Sequence, residues 1–326
     1  MEPIILFRGS LAEEGELESA QKFFDVKTQR ASCKDAFIIP RYSYLPFAKE
    51  LEEDLIINGC SVINSYKQHR WIANFEYYGV LEAFTPKTWD EYAFQDCVDP
   101  GPFCVKGKTN SRKFSWKRLM FAKDKKEAVH IGCELLEDSM IGEQEIIYRK
   151  YIPLKTFEIG INGLPFSNEW RFFFLGEKML SYGYYWSCAE KASEYQITDE
   201  GIAFAQKIAK ITAEHVNFFV LDIAETVEGE WILIEVNDGS MSGLSMNDPD
   251  VLYSNLLKEI EMPKKIVLEA EIDIVITDQG TGGASCSNCG KGLDTNPPTA
   301  LPSDCPGCGA KFTGTSTYTN DGGSDF

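Results

Sequence analysis

The stretch FFVLDIAETVEGEWILIEVND, Phe218 to Asp238, joins two strongly apolar runs through a short polar segment. A two-residue turn centred on Glu228-Gly229 would fold it into a hairpin and set Asp222 opposite Glu235. Alternation along a strand then puts Asn237 on the face of Glu235. Cross-strand partners stand about 5 Å apart at Cβ, so two carboxylates and an amide oxygen converge among Phe218, Val220, Leu221, Ile232 and Ile234. Like charges so placed repel unless a cation lies between them, and hard oxygen donors suit magnesium, which also takes waters and substrate phosphates. The alternative is a solvated strand face bearing both acids.

A second stretch, PFCVKGKTNSRKFSW, ends an apolar strand on Lys106 and continues through Gly107, Lys108, Thr109, Asn110, Ser111, Arg112 and Lys113. Glycine and small hydroxyl residues let a backbone approach phosphate oxygens, and lysines supply compact cations. The Walker A order is absent, and a basic surface loop is the competing reading. A third feature lies near the C-terminus. Cys286-Ser-Asn-Cys289 and Cys305-Pro-Gly-Cys308 are two C-x-x-C knuckles fifteen residues apart, each followed by a glycine. That is four-thiolate zinc spacing. The surrounding segment has almost no large apolar residues, so the metal would supply its folding energy. A closed thiolate shell makes such a zinc structural; a redox role is disfavoured because no βαβ pattern is near.

Short strands and helices must position these groups. PFAKELEEDLIINGC (Pro46 to Cys60) places Phe47, Leu51, Leu55 and Ile56 at helical spacing, and SVINSY after it alternates like a strand. The break VDPGP precedes a segment dense in strand patterns. A helix is expected from Asp199 to about His215 behind an N-cap at Thr198, and another from Asp248-Pro249 to just before Met262-Pro263. His130 and His215 fall in helical patterns and read as structural. The expected fold class is α/β (α+β), divided into residues 1–98 as an N-terminal substrate domain, 99–265 as the nucleotide-binding and catalytic domain, 266–276 as a linker, and 277–326 as a zinc ribbon with a flexible tail.

The chain has 326 residues, 44% hydrophobic and 25% charged, which excludes disorder over most of its length. Its formal net charge of -18 disfavours bulk nucleic-acid binding but allows a local basic cleft for a small polyanion. Mean hydropathy is -0.23 and no apolar run approaches the roughly 18 residues of a membrane span. MEPIILFRGS has no basic stretch ahead of its apolar run, so no signal peptide is expected. The six scattered cysteines then read as reduced thiols of a cytoplasmic protein.

Taken together, these residues resemble the ATP-grasp ligase family. There an aspartate on one strand and a Glu-x-Asn on the next hold the magnesium ions on ATP, matched here by Asp222 and Glu235-Val236-Asn237. The family's small-lobe lysine is matched by Lys106, and its adenine-bearing hinge strand by IIYRKYIPL. PRYSYLPF, INSYKQHR, GKTNSRKF, NEWRFFF and EVNDGSMSGL look most like a bacterial and phage branch, and the likeness runs from about Phe37 to Ile260. The resemblance implies an ATP-grasp fold behind an N-terminal pre-ATP-grasp domain. It implies ATP and two Mg2+ ions as cofactors, contacts to ATP from Lys106, Lys108, Lys113, Arg149 and Lys150, adenine against the backbone near Ile152, and ribose on Glu158. Many members carry an arginine two residues before the aspartate; here that position is Val220, and the role passes to Arg171 in NEWRFFF, for which a structural ion pair with Glu169 is the alternative.

The implied activity is ATP-dependent carboxylate–amine ligation through an acylphosphate, joining an amino acid to a peptide or protein. A phosphotransferase, or a non-catalytic nucleotide-binding adaptor with a zinc ribbon, are the alternatives. Arg41, His69 and Arg70 are candidates for holding a substrate carboxylate, against a reading as ordinary surface charge or core. The ribbon would recruit a protein partner, and relatives in the family are often homodimers.

Overall fold

The computed structural model describes residues 1–8, 15–139, 141–142 and 144–261, and beyond them the backbone of four further strands. The chain divides into two compact units, Met1–Met262 and Pro263–Phe326.

The first unit opens with a parallel sheet of order β2-β1-β3-β4, formed by β1 (Pro3–Phe7), β2 (Asp25–Lys27), β3 (Phe37–Arg41) and β4 (Ser61–Val62). Its helices are α1 (Glu16–Phe23), α2 (Ala48–Ile57) and α3 (Tyr66–Ala73). The expected helix after Pro46 is therefore present as α2, burying Leu51 and Leu55, whereas SVINSY contributes only the two residues of β4. A capping box between Ser65 and Gln68 starts α3, satisfying two of the amides that a helix start leaves unpaired.

A short helix α4 (Tyr78–Leu81) leads into a second, antiparallel sheet of order β5-β8-β6-β7: β5 (Thr88–Asp90), β6 (Phe103–Gly107), β7 (Phe121–Ala122) and β8 (Ile146–Lys150). It carries α5 (Glu91–Gln95), α6 (Trp116–Leu119) and α7 (Lys125–Leu136), the last capped by the Asp124 side chain. Phe94, Phe103, Val105, Ile131 and Tyr148 form its core. A hairpin of β9 (Thr156–Ile159) and β10 (Pro165–Ser167) follows.

The central sheet is antiparallel, ordered β12-β11-β13-β14, from β11 (Glu169–Leu175), β12 (Lys178–Tyr184), β13 (Phe218–Glu225) and β14 (Trp231–Asp238). Helices α8 (Asp199–Thr212) and α9 (Pro249–Glu261) pack on it, close to their expected bounds. Strand alternation divides the sheet. Phe172, Phe174, Phe219 and Leu221 point to the side of α8, while Phe173, Phe218 and Val220 meet Ile5, Phe7, Ile39 and α9 on the other. The second face thus rests on the N-terminal sheet at one end. Its other end, bearing Glu169, Arg171, Asp222 and Glu235, is left for a site.

In the second unit, β15 (Glu269–Ile276), β16 (Gly282–Cys286), β17 (Gly292–Leu293) and β18 (Lys311–Thr319) form a sheet of order β17-β16-β15-β18. Part of the stretch expected to be a linker is therefore strand. The zinc-ribbon residues Cys289, Cys305 and Cys308 lie outside the described residues, as does the side chain of Cys286, whose backbone closes β16. Among the described residues no helix is long and apolar enough to cross a membrane.

Candidate active site

Asp222 pairs directly with Glu235 across β13 and β14, and Val220 with Asn237. The route to that register differs from the expected one. The connection is a wider loop, closed by Thr226 N–H donating to the Glu230 carbonyl at 2.8 Å, so Glu225 pairs with Trp231. A bulge at Ile234 then skips one residue before Asp222 meets Glu235. The misplaced turn and the unforeseen bulge cancel.

Both carboxylates are buried, Asp222 at 1% exposure and Glu235 at 9%, which excludes the solvated strand face. Each has a cation. Arg171, opposite Asp222 on β11, donates from Nε and NH2 to the two Asp222 oxygens at 2.8 Å each, a bidentate geometry that only a guanidinium supplies. Its NH1 donates to the Gly243 carbonyl at 2.9 Å. Lys106 Nζ donates to Glu235 Oε1. Burial pushes Glu235 up, but Lys106, Lys113 and Arg149 outweigh it and hold the carboxyl below its ordinary range. Asn237 Nδ2 donates to Asp222 Oδ2 at 3.1 Å, which leaves its Oδ1 to face a cation. Among the described residues no three His, Cys, Asp or Glu side chains group as a metal site. Two carboxylates and an amide oxygen, already beside positive charge, nevertheless fit magnesium, whose remaining positions go to waters and phosphates.

These groups close one end of a cleft of about 880 Å³ between the β5–β8 sheet and the central sheet. Its walls elsewhere are apolar, among them Met120, Ile152, Leu154, Trp186, Ile232 and Ile234, while Lys106, Lys113, Glu169 and Glu235 gather at the polar end. Lys113 Nζ donates to the Tyr185 hydroxyl and stands over the Tyr185 and Trp186 rings, 4.0 and 5.3 Å from their centroids. Burial opposes its charge, yet Tyr185, Glu169, Glu235 and Asp222 together raise the ammonium above its ordinary range.

The other sequence-named residues sit differently. Lys108 pairs with Glu145 at 2.7 Å and is not among the lining residues. Arg149 does line the cleft, but its donors go to Thr88 Oγ1 at 3.1 Å, Thr85 Oγ1 at 2.6 Å and the carbonyl of the bulged Ile234 at 2.7 Å. Lys150 also reaches the lining while its ammonium bonds Asp99 and the Gly101 carbonyl. Glu158 lies outside it; its oxygens accept from the Glu190 and Lys191 amides at 2.9 and 3.0 Å and from Tyr195 at 2.7 Å, which braces a loop. Arg41 is buried against Glu16 and Tyr253, His69 bonds Asp238 at 3.1 Å, and Arg70 is exposed over the Tyr66 ring. Of the three N-terminal candidates, none lines the cleft. His130 is exposed and pairs with Glu134, and His215 stacks on Trp71 at 4.6 Å.

Sequence reasoning missed Glu169 as a cleft residue. It is 4% exposed, and burial, with Asp222 adding and Lys113 opposing, pushes its carboxyl up to about 7. The signal was available: it sits two residues before Arg171 and therefore shares its strand face.

The family described as an ATP-grasp domain, clade family 3, matches residues 94–256. The chain belongs to that family. The match spans the β6–β8 strands, the central sheet and most of α9, and so contains the cleft. No curated protein matches the chain. Among solved structures, this ATP-grasp chain resembles D-cycloserine synthetase DcsG at 12% identity, over 79% of this chain and 100% of that one, with a TM-score of 0.50. It also resembles the RimK domain protein ATP-grasp from Sphaerobacter thermophilus at 13% identity, 78% and 99% coverage and a TM-score of 0.49. At such identities the likeness concerns the ATP-grasp fold alone.

Proposed function

We propose that the protein is an ATP-dependent carboxylate–amine ligase acting through an acylphosphate. The observation that carries this reading is the convergence of Asp222, Glu235 and Asn237 with Lys106, Lys113 and Arg171 at one end of an otherwise apolar cleft. The apolar walls around Ile152 take the adenine. Glu169, which lines the cleft where Glu158 does not, is the carboxylate placed to accept from the ribose hydroxyls. Lys106 and Lys113 lie along the triphosphate. Asp222, Glu235 and Asn237 hold Mg2+, which when bound neutralises charge on the phosphate oxygens. Lys106 and Arg171 now occupy the two carboxylates and are released from them toward the transferring group.

A carboxylate oxygen of the acid substrate attacks the γ-phosphorus, and the bond to the β–γ bridging oxygen breaks as ADP departs. An amine nitrogen then attacks the acyl carbon, phosphate leaves, and the nitrogen loses its proton. Arg171 stabilises the charge of the acylphosphate through a rigid, permanently charged fork. Because the phosphate makes the acyl group reactive, no histidine is needed at the centre. In the second unit, Cys286, Cys289, Cys305 and Cys308 are proposed to hold a structural zinc.

The test is nucleotide turnover with pooled carboxylic acids and amines. ADP and phosphate formed only when both are present support the ligase. ADP formed with an acceptor but without an amine would instead make the protein a phosphotransferase, and AMP with pyrophosphate would exclude the acylphosphate route. Magnesium-dependent ADP binding without turnover would leave a nucleotide-binding adaptor.

A further inference from the structure

One residue past the proposed metal ligand Asn237, the chain enters a dense buried polar knot. Asp238 is 4% exposed, and both its oxygens are used. Oδ2 accepts from the Tyr44 hydroxyl at 3.2 Å and pairs with His69 Nδ1 at 3.1 Å. Oδ1 accepts from Asn64 Nδ2 at 3.0 Å and from the Ser240 amide at 2.9 Å. Asn64 also clips the start of β13, donating to the Phe218 carbonyl at 2.6 Å and accepting from its amide at 2.9 Å. Arg41, held by Glu16 and Tyr253, donates to the Gly239 carbonyl. Tyr44, Asn64, His69 and Arg41 are each 6% exposed or less.

Strand alternation makes the consequence geometric. Asp238 faces the opposite side of β14 from Asn237, so the knot grips the strand from behind while the oxygen ligands face the cleft. A carboxylate buried this deeply is costly unless all its acceptor positions are filled. Four donors from the N-terminal segment and the following turn fill them, and that fixes the end of β14 in one position. Groups that orient metal ligands without touching the ion commonly affect metal affinity by about tenfold or more.

We propose that Asp238, with Tyr44, Asn64 and His69, is a positioning set that presents Asn237 and Glu235 to the divalent cation. The N-terminal segment on this view sets the metal site from behind, and His69 acts there rather than on a substrate carboxylate. The inference rests on the magnesium role proposed above for Asp222, Glu235 and Asn237.

The test measures ADP binding to the full chain by calorimetry, in Mg2+ and in EDTA, for wild type, Asp238→Asn and Tyr44→Phe. The expected result is that Asp238→Asn weakens ADP binding in Mg2+ about tenfold, and Tyr44→Phe in the same sense but less, while both bind ADP in EDTA as wild type does. A purely structural role would lower the melting temperature and either leave both affinities alone or reduce them equally; either pattern overturns the proposal. Should Asp238→Asn not fold, Tyr44→Phe, which keeps the ring and removes one donor, decides by the same criterion. Wild type that binds ADP no better in Mg2+ than in EDTA would overturn the metal site itself and this inference with it, whereas wild-type magnesium dependence with unaffected variants overturns the positioning set alone.

Discussion

At the residue scale the candidate site is a balance of buried charge. Glu169 is the odd member, since its carboxyl titrates near 7 against an ordinary 4.5 because burial outweighs Lys113. A group whose folded value is raised stabilises the fold fully below its unfolded value, and that contribution is lost as pH rises through the folded one. Here the window runs from about 4.5 to about 7. Glu169→Gln removes the cost of ionising, so it should stabilise the ligand-free protein at pH 8 by up to about 3 kcal/mol and change little at pH 4.5. Thermal melts at the two pH values check this, and equal shifts at both would refute it. Lys106 and Glu235 make the opposite case: removing one partner of a buried pair leaves an uncompensated charge. Lys106→Met should therefore cost about 3 kcal/mol, and added Mg2+ should raise the melting temperature of this variant more than that of wild type. A shift no larger than wild type's would count against the cation sharing Glu235.

At the element scale the β13–β14 hairpin shows what can and cannot be read from residue order. Apolar runs and alternation were sufficient to face Asp222 with Glu235. They could not place the bulge at Ile234, because its stabilisation comes from elsewhere in the chain. The bulged residue's carbonyl lies on the free edge of β14, where Arg149 NH1 takes it at 2.7 Å, while Thr85 Oγ1 takes the neighbouring Leu233 carbonyl at 2.8 Å. Arg149 was assigned to the nucleotide from its place on the hinge strand, and nothing local distinguishes an arginine that points at phosphate from one that pins a strand 85 residues away. Glu158 shows the same limit, being drawn off by loop amides near residue 190. A buried carbonyl left unpaired costs about 1–3 kcal/mol. Arg149→Met should lose about that much in urea melts, with Thr85 Oγ1 also deprived of its donor. A loss within about 0.5 kcal/mol, the range of ordinary surface substitutions, would mean the bulge holds without Arg149.

At the scale of the whole molecule, two units answer to different physics. The apolar cores and every residue lining the cleft belong to Met1–Met262, so the first unit has its own hydrophobic drive to fold. From about Thr277 the chain has almost no large apolar residues and four cysteines at zinc spacing, which shifts the burden of folding to a metal. Full-length protein purified without chelator should then carry one zinc per chain by elemental analysis, and Cys305→Ser should lose it. A chain ending at Met262 should bind ADP in Mg2+ within about twofold of full length, since in energetic terms a factor of two is only about 0.4 kcal/mol. Chelation should change the melting of full-length protein and leave that of the shortened chain unaltered. If the shortened chain loses nucleotide affinity by tenfold or more, the second unit takes part in the site, and the division of labour drawn from composition is wrong even with zinc bound as expected.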